Sequence, residues 1–228
     1  MFLSKVTLNM RHRMTYRLAS DLYAQHRFVM SAFPDLRVTD RENEGAQDQQ
    51  GVLYRLETDR QAECMFFLVQ SRVEADWNRT RELHRDVLCS DQSKEDRRLF
   101  ATGERYRFRL RASPTVCRVN RDAEGIRKAS KRLGLYREQE QRDWLARIGE
   151  RGGFEIRPEA VLITPQGKRE GYKPTPGGRR PHDLVTCFMV DFDSTLFITD
   201  ASLFSTAVHE GVGRGKAWGC GLLSLMRA

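Results

Sequence analysis

The sequence predicts an α+β chain in which the order strand, helix, strand, strand, helix, strand occurs twice. Alternating apolar residues mark short strands, and apolar stripes that follow capping residues mark the helices between them. The 228 residues suffice for two small domains. This order is the ferredoxin-like, or RRM-like, plan. We therefore expect two tandem ferredoxin-like domains, at residues 1–113 and 114–228.

The first half supplies the first copy of the plan. Ser20 or Asp21 can cap a helix that Pro34 stops. Residues 9–17 indicate a basic connection, and the highly charged stretch 74–100 indicates loop with some short helix. Strands are predicted, in chain order, at residues 2–8, 52–56, 64–70 and 105–111.

The second half repeats the plan. The strands at 184–190 and 196–199 are expected to form a hairpin, which would place Asp191 and Asp193 in its turn. Residues 166–182 form a long basic loop rich in Gly and Pro. The other predicted elements are a strand near Val116, a helix at 138–150, a strand at 154–163, a helix capped by Asp200 and a strand that begins at Leu222.

Composition favours a polyanionic partner. The net charge is +8, and most of the basic residues are arginine, which suits bidentate phosphate contacts. A basic membrane-surface protein is the weaker alternative, and no apolar run approaches the ~20 residues of a membrane span. The 5 cysteines are scattered without metal-ligand spacing, as in a reduced cytoplasmic protein. We expect neither a metal nor a cofactor.

A glycine-rich loop precedes the last predicted strand. It is not a Walker loop, because Ala217 follows Lys216 where that motif needs Ser or Thr. It is either a turn that packs a helix on a sheet, or a backbone that approaches an anion beside Arg214. On the second interpretation the residues in contact with the anionic partner are Gly211, Gly213, Arg214, Gly215, Lys216, Gly219 and Gly221.

Two further basic segments suit RNA. One face of the 105–111 strand carries arginines without an acidic partner in the segment, so we expect them to bind an anion. The 166–182 loop is thin and basic enough to approach the narrow major groove of A-form RNA. A DNA-binding protein is a weaker alternative, since helix-turn-helix and zinc patterns are absent from the sequence. The predicted contacts are Arg107, Arg109, Arg111, Lys168, Arg169, Arg179 and Arg180.

Tyr23 and His26 are the candidate catalytic residues. They lie three positions apart on the first predicted helix and so share a face. An imidazole and a phenol can together move the two protons of phosphodiester cleavage by a 2′-OH. The adjacent Arg27 could hold the phosphate. The alternative is structural, with Tyr23 an amphipathic anchor and His26 a partly buried surface residue.

Four segments together resemble the CasE family of CRISPR repeat-RNA endoribonucleases. The resemblance runs through the whole chain in order. The segments are FLSKV at 2–6, DLYAQHR at 21–27, YRFRLRASP at 106–114 and GVGRGKAWGCGLLS at 211–224.

The resemblance implies a metal-independent cut at the 3′ base of a repeat-RNA hairpin, with His26 and Tyr23 as the catalytic pair. It also implies that the chain keeps the mature crRNA and joins the other subunits of Cascade. Ser31 stands where some members place a phosphate-supporting Lys, a role that Arg27 or Lys216 could take. A non-catalytic subunit that binds the RNA hairpin is therefore the alternative.

Overall fold

The computed structural model describes residues 1–33, 50–118, 131–173 and 184–228. In the first part of the chain, the elements are β1 (Phe2–Leu8), α1 (Arg13–Ser20), α2 (Leu22–Met30), β2 (Leu53–Asp59), β3 (Cys64–Ser71), α3 (Trp77–Leu83) and β4 (Leu88–Glu95). In the rest, they are β5 (Arg105–Ala112), β6 (Thr115–Arg118), β7 (Lys131–Gly134), α4 (Glu138–Arg151), β8 (Phe154–Ile156), β9 (Leu162–Tyr172), β10 (Leu184–Ile198), α5 (Ala201–Glu210) and β11 (Leu223–Arg227).

The first sheet has the strand order β2-β3-β1-β4, and all of its pairs are antiparallel. Alternate apolar residues of these strands point to one face, as a half-buried strand requires. There they form a core with residues of the helices, including Val6, Phe28, Phe67 and Trp77. This order and its helical crossovers are those of a ferredoxin-like domain.

The second sheet has the order β11-β5-β10-β8, again antiparallel, and β9 pairs with the free length of β10. Its core contains Phe108, Trp144, Phe192 and Phe204, which come from β5, α4, β10 and α5. Residues 105–227 thus repeat the strand order of the first sheet, and the predicted α+β class is confirmed. No helix within the described ranges is long and apolar enough to cross a membrane.

The strand at 105–112 belongs to the second sheet, which corrects its predicted place in the first domain. It pairs with β10 and β11, so the two sheets divide between Glu95 and Arg105 rather than after residue 113. The predicted strand near Val116 is β6, which pairs with β7 in a separate two-stranded sheet. Alternation of apolar residues reports that a strand is half-buried, and it does not report which sheet the strand joins.

The fourth strand of the first sheet is β4, in the stretch that we predicted as loop. It is an edge strand that pairs with β1, and its sequence LCSDQSKE leaves most of its side chains exposed. Such a strand lacks the apolar alternation by which strands are recognised. The predicted basic connection at 9–17 was also partly wrong, because α1 begins at Arg13, where the His12 side chain accepts from Met14 N–H.

The predicted hairpin at 184–199 is one continuous strand, β10, of 15 residues. Asp191 and Asp193 lie in its middle, opposite Arg111 and Arg109 of β5. The predicted loop at 166–182 is strand β9 as far as Tyr172. The predicted strand at 154–163 is divided by a 3-10 turn between β8 and β9.

Strand β2, at the edge of the first sheet, forms the seam with the second. Arg55 is 1% exposed, and its guanidinium bonds to Glu57 at 2.5 Å. The same guanidinium donates to the Arg109 and Leu222 carbonyls at 3.3 and 3.1 Å, and to Ser224 Oγ at 2.9 Å. Burial lowers the pKa of Arg55, an effect that the Glu57 charge opposes. One buried cation thus fixes the approach of the two sheets.

We predict that Arg55→Met lowers the free energy of unfolding by about 3–5 kcal/mol, because it leaves the Glu57 charge and the two carbonyls without their buried partner. Urea unfolding followed by circular dichroism measures this change. Arg97→Met is the control, since Arg97 is highly exposed in its ion pair with Glu95 and should leave stability nearly unchanged. Equal stability of the two variants would contradict the structural role of Arg55.

Candidate active site

Asp21 positions the helix that carries the candidate catalytic pair. Its carboxylate accepts from the backbone N–H groups of Tyr23 at 2.9 Å and Ala24 at 3.2 Å, as an N-cap should. The first turn of α2 is therefore fixed at the position of Tyr23. The helix buries Phe28 and Val29 against the first sheet and leaves Arg27 exposed.

Tyr23 and His26 both lie on α2, as predicted. The i, i+3 spacing places the two side chains on neighbouring positions of one face. His26 is 8% exposed and Tyr23 is half-buried. A largely desolvated imidazole next to a phenol that water can reach is suited to proton transfer with a bound substrate.

Strand β9 of the second sheet lies directly against the start of α2. Asp21 and Glu170 form an isolated parallel bridge, and the Arg169 guanidinium approaches the Ala19 carbonyl at 3.4 Å. A Cβ on Gly171 would lie 2.6 Å from the Tyr23 nitrogen, so only glycine permits this approach. The structure thus brings the predicted basic residues Lys168 and Arg169 beside the predicted catalytic helix.

The glycine-rich loop reaches α2 from the other end of the chain. Gly215 and Gly219 have φ values of +79° and +83°, and they flank a 3-10 turn at Lys216–Trp218. L-residues with side chains rarely adopt this left-handed conformation. The turn places the Trp218 ring 5.8 Å from the His26 ring, centroid to centroid, at an interplanar angle of 58°.

Packing against protein explains the glycines of this loop. A Cβ on Gly211 would lie 2.7 Å from Leu53 Cδ2, and one on Gly213 would lie 3.2 Å from the Trp144 ring. Gly221 has a φ of +90°. The interpretation as a packing turn is thus supported, while contact of these glycines with RNA stays a prediction. Arg214 is exposed and Lys216 half-buried on the same loop.

Two of the β5 arginines that were expected to bind an anion have acidic partners on β10 instead. Arg111 makes a bidentate pair with Asp191 at 2.7 and 2.8 Å, and Arg109 bonds to Asp193 at 2.7 Å. The antiparallel register of β5 and β10 causes both pairs, since it places these residues directly opposite one another. Arg111 also donates to the Leu56 carbonyl at 2.8 Å and is a structural link between the sheets. Arg107 is exposed.

Other predicted contact residues have mixed surroundings. Lys168 pairs with Glu170 at 2.7 Å, and this hydrogen bond raises the pKa of the Lys168 ammonium. Ser31 Oγ donates to the Phe28 carbonyl at 2.6 Å and is hydrogen-bonded to Thr80 Oγ1 at 3.1 Å, so it connects α2 to α3. Arg179 and Arg180 lie outside the described residues.

A cleft of about 460 Å³ opens beside α2, between the two sheets. Basic residues on its wall include Arg60 and Arg169, both exposed, while Gln25 of α2 and Trp218 line another part of it. Sequence reasoning missed Arg60 and Trp218. Each comes from a turn, and neither belongs to a periodic pattern that could have marked it.

Comparisons with known proteins identify the family of this chain. The sequence model of the CRISPR associated protein family matches residues 1–227. CRISPR-associated endoribonuclease Cse3 of Thermus thermophilus is 31% identical over 229 residues, which cover 99% of each chain. The chain belongs to this family. The resemblance to CasE proteins that the sequence predicts is thereby confirmed.

Solved structures of family members are similar along the whole chain. Cse3 bound to a 19-nucleotide RNA has a TM-score of 0.76 and 30% identity, covering 99% of this chain and 100% of that one. Thermus thermophilus Cse3 bound to an RNA that represents a pre-cleavage complex has a TM-score of 0.73 at 29% identity, over 99% and 98% of the two chains. Cas6e of Escherichia coli K-12 has a TM-score of 0.65 at 26% identity, with 100% of both chains covered.

We predict that stability declines as the pH falls below 6.5, in part because of His84. Burial lowers the pKa of this group below its usual 6.5, and the positive charge of Arg27 lowers it further. Between the folded pKa and 6.5 the unfolded chain binds more protons, so protonation favours unfolding. Unfolding free energies measured from about pH 5 to 8 should decline less in His84→Gln. Parallel curves for the two proteins would contradict this assignment.

Proposed function

We propose that this chain is an endoribonuclease that cleaves CRISPR repeat RNA at the 3′ base of its hairpin. The placement of Tyr23 and His26 carries the proposal: both lie on one helix, between the basic strand β9 and the glycine-rich loop. The 31% identity to an enzyme named CRISPR-associated endoribonuclease supports it. So does the similarity to Cse3 structures that contain RNA.

The reaction needs two proton transfers. One member of the His26–Tyr23 pair takes the proton of the 2′-OH, whose oxygen then attacks the adjacent phosphorus. The P–O5′ bond breaks, and the other member protonates the leaving 5′-oxygen. The products are a 2′,3′-cyclic phosphate and a 5′-OH, and no water is consumed in this step.

The negative charge that develops on the phosphorane needs a nearby cation. Some family members supply it from a Lys, and Ser31 occupies that position here. Arg27 is exposed on α2 directly after His26, and Lys216 belongs to the 3-10 turn that carries Trp218. Either can supply the charge at a developing oxyanion, where electrostatic stabilisation is most effective. We assign this role to one of the two residues.

RNA binding is assigned to the basic strand and loop around the helix. Lys168 and Arg169 on β9 track the stem, with Arg179 and Arg180 beyond the described part of the same segment. Arg107, Arg214 and the glycine-rich loop extend the contact surface. The chain keeps the product hairpin after the cut and carries the mature crRNA into Cascade, where it contacts the other subunits.

A non-catalytic RNA-binding subunit is the second candidate, and Ser31 favours it. The hydroxyl of Ser31 is engaged with Thr80 and the Phe28 carbonyl, so it does not replace the ammonium of a Lys. The two candidates differ in one requirement. Only the enzyme needs the 2′-OH at the scissile nucleotide.

We predict that His26→Ala slows single-turnover cleavage of repeat RNA by about 10²–10⁴ fold, the usual contribution of one acid–base group. The dissociation constant for the RNA should stay near the wild-type value. His209→Ala is the matched control, because His209 bonds to the Ser205 carbonyl of its own helix α5. Equal losses of rate and affinity in His26→Ala would argue against a catalytic role.

Replacing the scissile nucleotide with its 2′-deoxy form should abolish the cut and leave hairpin binding intact. The physical reason is that the attacking oxygen is missing while the phosphates remain. Gel analysis of the labelled RNA measures both properties. Cleavage of the 2′-deoxy substrate would exclude the proposed mechanism, and an uncut all-ribose substrate would favour the non-catalytic candidate.

A further inference from the structure

Trp218, in the second half of the chain, lies against the His26 imidazole. Helix α2 fixes the backbone of His26, and the groups that pack on its imidazole limit the orientation of the ring. The indole ring of Trp218 is one of them, with its centroid 5.8 Å from that of the imidazole and its plane tilted by 58°. His26 is 8% exposed in this setting.

Trp218 is itself held on several sides. Its backbone N–H donates to the Gly215 carbonyl at 2.8 Å within the 3-10 turn. Its side chain packs on a small buried cluster of apolar residues from α2, β10 and the glycine-rich loop. The cluster consists of Leu22, Cys187, Met189 and Cys220.

Tyr54 of the first sheet anchors the same turn. Its ring is fully buried, and its hydroxyl donates to the Ala217 carbonyl at 2.7 Å. A Cβ on Gly219 would lie 3.3 Å from Tyr54 Cε2, so the tyrosine also limits the turn on its far side. Burial raises the pKa of Tyr54 well above its usual value, which keeps the phenol protonated as a donor.

We propose that Trp218 is a positioning residue for catalysis, which holds the His26 imidazole in its reactive orientation, and that the hydrogen bond from Tyr54 to Ala217 holds Trp218. This inference rests on the proposed function, since it names what orients the proposed catalytic histidine. The rate of the cut then depends on the 3-10 turn that carries Trp218 as well as on helix α2. A ring that is free to rotate spends less time aligned with the reacting oxygen.

The first test measures cleavage rate and RNA affinity separately. We expect Trp218→Ala to lower the single-turnover rate by about 10–100 fold with an unchanged dissociation constant, the scale of a modest misplacement of a catalytic group. Trp218→Phe should recover part of the rate because an aromatic ring remains. Tyr54→Phe should lower the rate less than Trp218→Ala does.

Tyr106→Phe is the matched control for Tyr54→Phe. Tyr106 is also buried, and its hydroxyl donates to Glu104 Oε2 at 3.0 Å in the second core. Both variants lose one buried hydroxyl and its hydrogen bond. Only Tyr54→Phe should slow cleavage, although both should lower the melting temperature.

A second test needs no RNA. The ring current of an indole shifts the proton resonances of a side chain that packs against it, so the ring resonances of His26 should move between the wild-type protein and Trp218→Ala. Their assignment comes from their loss in His26→Asn. Trp218→Phe keeps an aromatic ring and should leave them closer to their wild-type positions.

Wild-type cleavage rates in Trp218→Ala, equal losses of rate and affinity, or His26 ring resonances that are unchanged in Trp218→Ala would each overturn the inference. Failure of the proposed function is a separate result. If the wild-type protein binds repeat RNA without cutting it, the function is wrong, and the His26 resonances still decide whether Trp218 holds His26.

Discussion

The buried guanidinium of Arg55 is the constraint on which the rest of the structure depends. A cation in a protein interior is costly unless it is paired and fully hydrogen-bonded. Arg55 meets that requirement only when β2 lies against β5 and the residues that begin β11, because its partners are Glu57, two carbonyls and Ser224. Its neighbours Tyr54 and Leu56 reach the second half as well. A short run of β2 therefore sets the angle between the sheets, together with Gln70 of β3, whose side chain donates to the Val208 carbonyl.

The candidate site is a consequence of that angle. Helix α2 supplies Tyr23 and His26, while β9 and the glycine-rich loop arrive from the second half of the chain. The glycines serve packing first, since their left-handed backbone lets the loop fit against Tyr54, Trp144 and α2. The exposed charge of Arg214 on the same loop then adjoins the proposed RNA path. One tight turn thus connects protein packing with the proposed chemistry.

The sequence alone predicts local features of the helices, and it does not predict which strands pair with one another. The helix cap at Ser20 or Asp21, the shared face of Tyr23 and His26 and the helix at 138–150 follow from rules that act within a few residues. The prediction placed strand β5 in the wrong sheet and missed β4, because the sheet position of each strand depends on partner strands that are distant in sequence. The Asp191 and Asp193 pairs with arginine also depend on register. Trp218 shows the same limit, since contact with His26 joins the two ends of the chain.

Incubation of the purified protein with its repeat RNA in excess EDTA, followed by analysis of the product ends, tests the central claim most directly. The account predicts one cut at the 3′ base of the hairpin, with a 2′,3′-cyclic phosphate on one product and a 5′-OH on the other, because His26 and Tyr23 move both protons. A cut that requires added divalent metal, or one that leaves a 5′-phosphate, would contradict it.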